Sequence, residues 1–257
     1  MTNLADYAAK YECTVLQRDD SGILEVRLHT DGGQFFWGEV PHRELPSLFV
    51  DIANDFENRV LIITGTGDAF IPSTNRQSFG ESFAQERGWD KIYWEAKRLL
   101  QCLLDIEIPI IGAINGPVRR HTELLVLSDI VLCADTTVFQ DAGHFPRGNV
   151  PGDGVFLIWP EIIGINRGRY FLLTNQELSA QDALNLGAVN EILAPADLLP
   201  RAWELARDLA AKPTLTLRYT RACLVQRWKR LLLDDLSHGL LLEYAAMARM
   251  RLENRLD

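Results

Sequence analysis

The chain has 257 residues, 47% of them hydrophobic and 24% charged, with 26 Lys+Arg against 35 Asp+Glu and a formal charge of −9. That balance fits a soluble globular chain with a substantial core, one that needs no disulfide or metal staple to fold. The acidic excess offers no basic face to nucleic acid or an anionic membrane, and no run reaches the 18 apolar residues of a spanning helix.

Period-2 and short apolar runs dominate the first half. Glu12 to Arg18 and Gly22 to Thr30 predict two strands joined by the Asp19-Asp20-Ser21-Gly22 turn. Arg59–Thr64, Ile108–Asn115 and Asp129–Cys133 are nearly all apolar, as strands buried on both faces of a parallel sheet are. Between them, Trp89 to Ile106 places Ile92, Leu99, Leu100, Leu103 and Leu104 on one helical stripe. Strand-helix-strand alternation predicts an α/β core with right-handed crossovers. Ser179 opens a helix that stops at Gly187, and a short strand, Val189–Leu193, follows. From Pro195 onward the pattern is helical, with Pro213 marking a helix start. The expected division is therefore a core over 1–195 and a helical region over 196–257.

Cys13, Cys102, Cys133 and Cys223 form no C-x-x-C pair, and Cys102 and Cys133 lie in apolar runs that predict buried thiols. No basic n-region precedes a long apolar stretch at the N-terminus. Both features predict a reducing, cytoplasmic setting. Gly65-Thr66-Gly67 after a strand lacks the further glycine and lysine of a phosphate loop and predicts a tight turn.

Chemistry-bearing residues are few. His121 follows the exit of a buried strand, and His144 sits in an irregular, Gly- and Pro-rich stretch between ordered elements. Loops held by a rigid sheet are where catalytic groups concentrate. Asp153, in Pro151-Gly-Asp-Gly154, reads either as a helix N-cap or as a carboxylate that fixes an imidazole tautomer. Glu243 lies among apolar residues of the last helical segment, where a buried carboxylate needs a partner. Trp37, in Gly32-Gly-Gln-Phe-Phe-Trp-Gly38, is a core aromatic or an indole donor.

Gly65-Thr-Gly-Asp-Ala-Phe70, Ile110-Ile-Gly-Ala-Ile-Asn-Gly116, Ser128-Asp-Ile-Val-Leu-Cys-Ala134, Phe139 and Pro151-Gly-Asp-Gly154, in this order, resemble the crotonase (enoyl-CoA hydratase/isomerase) superfamily. The resemblance implies a crotonase-like ββα spiral core with a helical C-terminal trimerisation region. Its departures are informative. Members present two backbone N–H groups as an oxyanion hole for a CoA thioester, yet here one segment reads Ile71-Pro-Ser-Thr-Asn75, and Pro72 has no N–H. The other reads Pro117-Val-Arg-Arg-His-Thr122, with His121 where a family glycine stands. The hydratase's two glutamates align near Leu124 and, allowing one inserted residue, His144.

These replacements are similar to the 6-oxocamphor hydrolase type of β-diketone hydrolase. Asp141-Ala-Gly-His-Phe-Pro146, Val150-Pro-Gly-Asp-Gly154, Arg167-Gly-Arg-Tyr-Phe-Leu-Leu-Thr174 and Leu199-Pro-Arg-Ala-Trp-Glu-Leu-Ala-Arg207 resemble that branch. The resemblance implies cleavage of a C–C bond in a small, cyclic 1,3-diketone by a retro-Claisen route, without cofactor or metal. Expected roles are water activation by His144 with Asp153 orienting it, enolate stabilisation by Trp37 and His121, and orientation of one histidine by Glu243. A homotrimer or dimer of trimers is the expected assembly, with the apolar stripe from Leu231 to Met250 available for it. The alternatives are a CoA-ester hydratase, isomerase or thioesterase, a metal-dependent hydrolase using His121, His144, Asp153 and Glu243, and a member without activity.

Overall fold

The computed structural model describes residues 2–79 and 86–253. After a one-turn helix α1 (Leu4–Tyr7), strands β1 (Thr14–Arg18) and β2 (Ile23–Leu28) form an antiparallel hairpin. Helix α2 (Glu39–Asn54), strand β3 (Val60–Gly65), helix α3 (Glu86–Asp105), strand β4 (Ile110–Ile114), the one-turn helix α4 (Glu123–Val126) and strand β5 (Ile130–Ala134) follow. Next come β6 (Val138–Phe139), α5 (Val155–Ile163), α6 (Ile165–Thr174), β7 (Leu178–Ser179), α7 (Ala180–Asn185) and β8 (Glu191–Leu193). Three helices end the described chain: α8 (Pro195–Ala210), α9 (Thr214–Leu224) and α10 (Gln226–Leu252). The main sheet runs β1-β2-β3-β4-β5-β8 and is parallel everywhere except at the β1–β2 pair.

The apolar runs read as doubly buried strands are that. Leu24, Val26, Leu61, Ile63, Ile110 and Cys133 face the large core shared with α2, α3, α5 and α10. Their neighbours Ile23, Val60, Ile62, Ile111, Ala113 and Leu132 face α8, which contributes Leu198, Ala202, Ala206 and Ala210. Alternation along a pleated strand produces the two faces. Helix α8, the first beyond residue 195, is thus the cover of the sheet's second face. Arg221 of α9 is buried; its Nε donates to Asp129 Oδ2 at 2.7 Å, and the guanidinium also reaches the Leu104 and Ile106 carbonyls. Among the described residues no helix is long and apolar enough to cross a membrane.

Two details depart from the sequence reading. Helix α2 has no counterpart in it: Pro41 and Pro46 disguise the helical pattern, and its Gly38 N-cap supplies no side-chain bond. Cys133 is buried as expected, whereas Cys102 is only partly so, because it lies on the flank of α3. The Ser179 capping box with Asp182 forms as its spacing predicts.

Past the carboxyl ends of the strands, the connections form a second small layer. Parallel bridges join Trp37 to Thr74, Ile71 to Val118, and Val118 to Phe139. Asn115 locks the Gly65–Ala69 turn, accepting from the Gly65 N–H at 3.2 Å and donating to the Gly67 and Ala69 carbonyls at 2.9 and 3.1 Å. That turn binds its own chain, which disposes of the phosphate-loop reading. A Cβ at Gly116 would lie 1.9 Å from the Asp68 carbonyl oxygen, so only glycine permits the crossing.

Candidate active site

Trp37, His121 and His144 each lie on a connection leaving the carboxyl end of a sheet strand, where open α/β sheets hold their ligands. The Trp37 N–H donates to the Ser73 carbonyl at 3.2 Å and its carbonyl accepts from Asn75 at 2.7 Å, which fixes the indole over the site. Its ring stacks obliquely on the His121 imidazole, with centroids 3.8 Å apart and planes at 39°. His121 has φ +45°, a left-handed conformation that L residues rarely adopt. Its neighbour Thr122 is buried and accepts a 2.8 Å bond from Trp159 Nε1, anchoring the turn.

His144 heads the 3-10 turn Phe145–Arg147, and its carbonyl receives the N–H groups of Arg147 and Asn149 at 2.8 and 3.1 Å. Asp153 and Glu243 arrive on two elements packed against each other, the loop before α5 and helix α10. A Cβ on Gly152 would lie 2.2 Å from the Gly239 carbonyl oxygen, and one on Gly239 2.6 Å from that of Gly152. This glycine-on-glycine crossing draws α10 against the loop and brings Glu243, one turn beyond Gly239, into the site.

All five residues singled out in the sequence therefore converge. Asp153 Oδ2 lies 3.3 Å from His144 Nε2 and 3.5 Å from His121 Nδ1, so it sits between the imidazoles. Glu243 Oε1 is 3.6 Å from His144 Nε2 and accepts from Asn149 Nδ2 at 3.1 Å; the histidine it accompanies is His144. The N-cap of α5 is Gly154, not Asp153. Asp153 meets His144 as expected, at Nε2, and a further carboxylate joins from the other edge of the ring: Asp141 Oδ1 is 2.7 Å from Nδ1. Asp153 faces Nε2.

Three further acids and one histidine escaped the sequence reading. Glu123, almost wholly buried, sets Oε1 2.8 Å from His121 Nδ1. His42, also buried, meets the edge of Trp37 at 5.9 Å and sets Nδ1 2.8 Å from Glu95 Oε2. Glu123 and Asp141 stand two and three positions from a histidine, but a nearby acid in a loop is too common a pattern to single out. The His42–Glu95 pair spans two helices and leaves no local signal.

Burial and charge set the protonation states. Burial acts against the His144 imidazolium, but Asp153 and Asp141 outweigh it and raise its pKa well above 6.5. Burial likewise opposes charge on His121, and Glu123 and Asp153 overcome it to raise that pKa too. Asp153 is driven below the usual carboxylate range by the two imidazoles despite its burial. Glu243, buried near Asp153, is pushed up to about 8 and holds its proton at neutral pH. Burial raises Glu123 and lowers His42, which therefore stays neutral.

His121, Glu123 and Asp153 also hold ligand-type atoms within 4.8 Å of one another, a spacing that a cation could share. The imidazole nitrogen in question is Nδ1, which a proton shared with the two carboxylates satisfies equally well.

A sequence-family profile for enoyl-CoA hydratase/isomerase matches residues 39–245. The chain belongs to the enoyl-CoA hydratase/isomerase family. A β-diketone hydrolase from the cyanobacterium Anabaena sp., solved with (S)-3-oxocyclohexyl acetic acid bound, is 48% identical, with TM-score 0.91 over 96% of this chain and 98% of that one. An enoyl-CoA hydratase/isomerase from Mycobacterium paratuberculosis is 25% identical with TM-score 0.85, over 92% of this chain and 94% of that one. A carnitinyl-CoA dehydratase of Salmonella arizonae is 30% identical over 65% of this chain and 63% of its own. The chain spans 27% to 66% of the length of the curated relatives it matches. The fold is that of this family of enzymes, parallel sheet and trailing helices included.

Proposed function

We propose that this family member is a β-diketone hydrolase that cleaves a C–C bond of a cyclic 1,3-diketone by a retro-Claisen reaction. The observation that carries this reading is His121. It occupies a left-handed position suited to glycine, and its side chain lies against Trp37 and Asp153 where a thioester enzyme would offer backbone N–H groups. The 48% identity to the Anabaena β-diketone hydrolase supports it.

In the proposed reaction a water held at His144 Nε2 loses a proton to that nitrogen and adds to one carbonyl. The tetrahedral intermediate breaks its bond to the carbon between the two carbonyls, and the electron pair leaves as the enolate of the second carbonyl. One ring carbonyl becomes a carboxylic acid, which ionises, and the enolate carbon takes a proton from the His144 imidazolium. Trp37 Nε1–H and a protonated His121 stabilise the enolate oxygen as preorganised donors. Asp153, held as a carboxylate, keeps positive charge between the imidazoles. An assembly of three chains, or two such trimers, belongs to this proposal; Leu233, Leu241 and Leu242 of α10 lie exposed and available for it.

The test is incubation with a panel of monocyclic and bicyclic 1,3-diketones. Ring-opened keto acids are the expected products, formed equally after prolonged chelation. Turnover of enoyl-CoA or acyl-CoA substrates with no diketone cleavage would favour the thioester alternative, and loss of activity on chelation the metal one. Trp37→Phe removes the indole N–H and keeps most of the ring; kcat falls by about 3 kcal/mol of transition-state stabilisation, on the order of 100-fold.

A further inference from the structure

Each working histidine of the site has its own buried carboxylate on Nδ1, and neither of those acids is Asp153. Asp141 Oδ1 lies 2.7 Å from His144 Nδ1, whereas Asp153 and Glu243 approach the same ring at Nε2, at 3.3 and 3.6 Å. Glu123 Oε1 lies 2.8 Å from His121 Nδ1, with Asp153 further off at 3.5 Å. Asp141 is 3% exposed and Glu123 1%, and Asp141 Oδ2 and Glu123 Oε2 are buried without a partner among the described residues. A carboxylate buried to this degree is costly unless something makes use of its charge. For both acids the side-chain partner within hydrogen-bond distance is the imidazole, and Glu123 also takes its own backbone N–H.

We propose that Asp141 and Glu123 are the positioning residues of the site, each holding the Nδ1–H of one histidine so that His144 and His121 both turn Nε2 toward the substrate. The inference deepens the proposed hydrolase reading and rests on it for the roles of the two rings. With Nδ1 donating to Asp141, the neutral His144 has its lone pair on Nε2, the form that accepts a proton from water. Asp153 then belongs to the reacting side of the site, sharing the water with Nε2. On His121 the same arrangement, with the ring protonated, leaves Nε2–H as the donor. The groups facing His144 are Asp141 on its own loop, Asp153 before α5, Glu243 on α10 and His121; those facing His121 are Glu123, Asp153, His144 and Glu243, with His42 beyond Trp37.

Two readouts test this. The first is 15N and 1H NMR of imidazole-labelled protein without substrate; five histidines in the chain make assignment by single replacement practical. Strongly deshielded Nδ1 protons are expected on His144 and His121. Asp141→Asn should move only the first signal, Glu123→Gln only the second, and Asp153→Asn neither Nδ1 proton as strongly. The second is the pH profile of diketone hydrolysis. Asp141→Asn should lower kcat at least ten-fold, toward the roughly 10⁴-fold loss of a histidine left in the wrong tautomer, and move the acid limb to lower pH. Asp141→Glu should restore part of both. A melting temperature close to that of the parent separates these effects from unfolding. If the NMR signals follow Asp153 rather than Asp141 and Glu123, the assignment is overturned whatever the activity. If the signals behave as stated but no diketone is cleaved, the hydrolase reading falls and the positioning assignment stands.

Discussion

His121 and His144 show how far one side chain's chemistry depends on atoms supplied by others. His144 accepts a proton in the proposed reaction, so its neutral form is the active one. Its pKa stands well above 6.5, and falling pH protonates it, so kcat/KM should drop on the acid side through a limb above that value. Glu243, at about 8, is neutral below that pH, and its ionisation beside Asp153 predicts a second, basic limb near there. A pH–rate profile of cyclic diketone hydrolysis checks both limbs; an acid limb below 6 would contradict the His144 assignment. Asp153→Asn keeps the shape but removes the negative charge between the imidazoles. Turnover should fall by far more than a few-fold, and an unchanged kcat/KM would remove Asp153 from the site. The singled-out residues were legible because each carries a reactive group in a loop or apolar context. Asp141 and Glu123 were not, because an acid two or three positions from a histidine means something only once the loop's path is known.

Helix α10 and the loop before α5 make the case for elements. Gly152 and Gly239 carry no signal of the crossing in the sequence, yet together they allow two backbones to meet. Gly239→Ala would press a methyl group on Phe156 and the Gly152 carbonyl, so α10 must shift and carry Glu243 away from His144. A stability loss of about 1–3 kcal/mol is expected in urea denaturation, together with a fall in kcat. Unchanged activity would show that the crossing does not position Glu243. Strands β3 to β5 were readable from composition, since runs buried on both sides must be apolar throughout, and β2 from its alternation beside a turn. Helix α2 was hidden by its two prolines, and with it went the His42–Glu95 pair that supports Trp37.

At the scale of the molecule, the sheet divides its two sets of alternating residues between a large core and the α8 face, and Arg221 ties α9 to the loop entering β4. Arg221→Met would leave Asp129 Oδ2 with the Ile110 N–H but no cation, and take from the Leu104 and Ile106 carbonyls their guanidinium donor. Breaking a buried pair of this kind should cost about 3 kcal/mol or more, read as a lowered urea midpoint with an unchanged slope. The sequence by itself determined the α/β class, the order of most elements, the family likeness and the five groups that meet in the site, because hydrophobic period and residue chemistry are local properties. Which carboxylate serves which nitrogen was decided by tertiary structure alone. Asp153 meets His144 at Nε2, Glu243 comes to the same nitrogen from 90 residues beyond Asp153, and Asp141 takes Nδ1. Hydrogen bonds and ion pairs of 2.7 to 3.6 Å depend on backbone paths that cross through space, and no spacing along the chain encodes them.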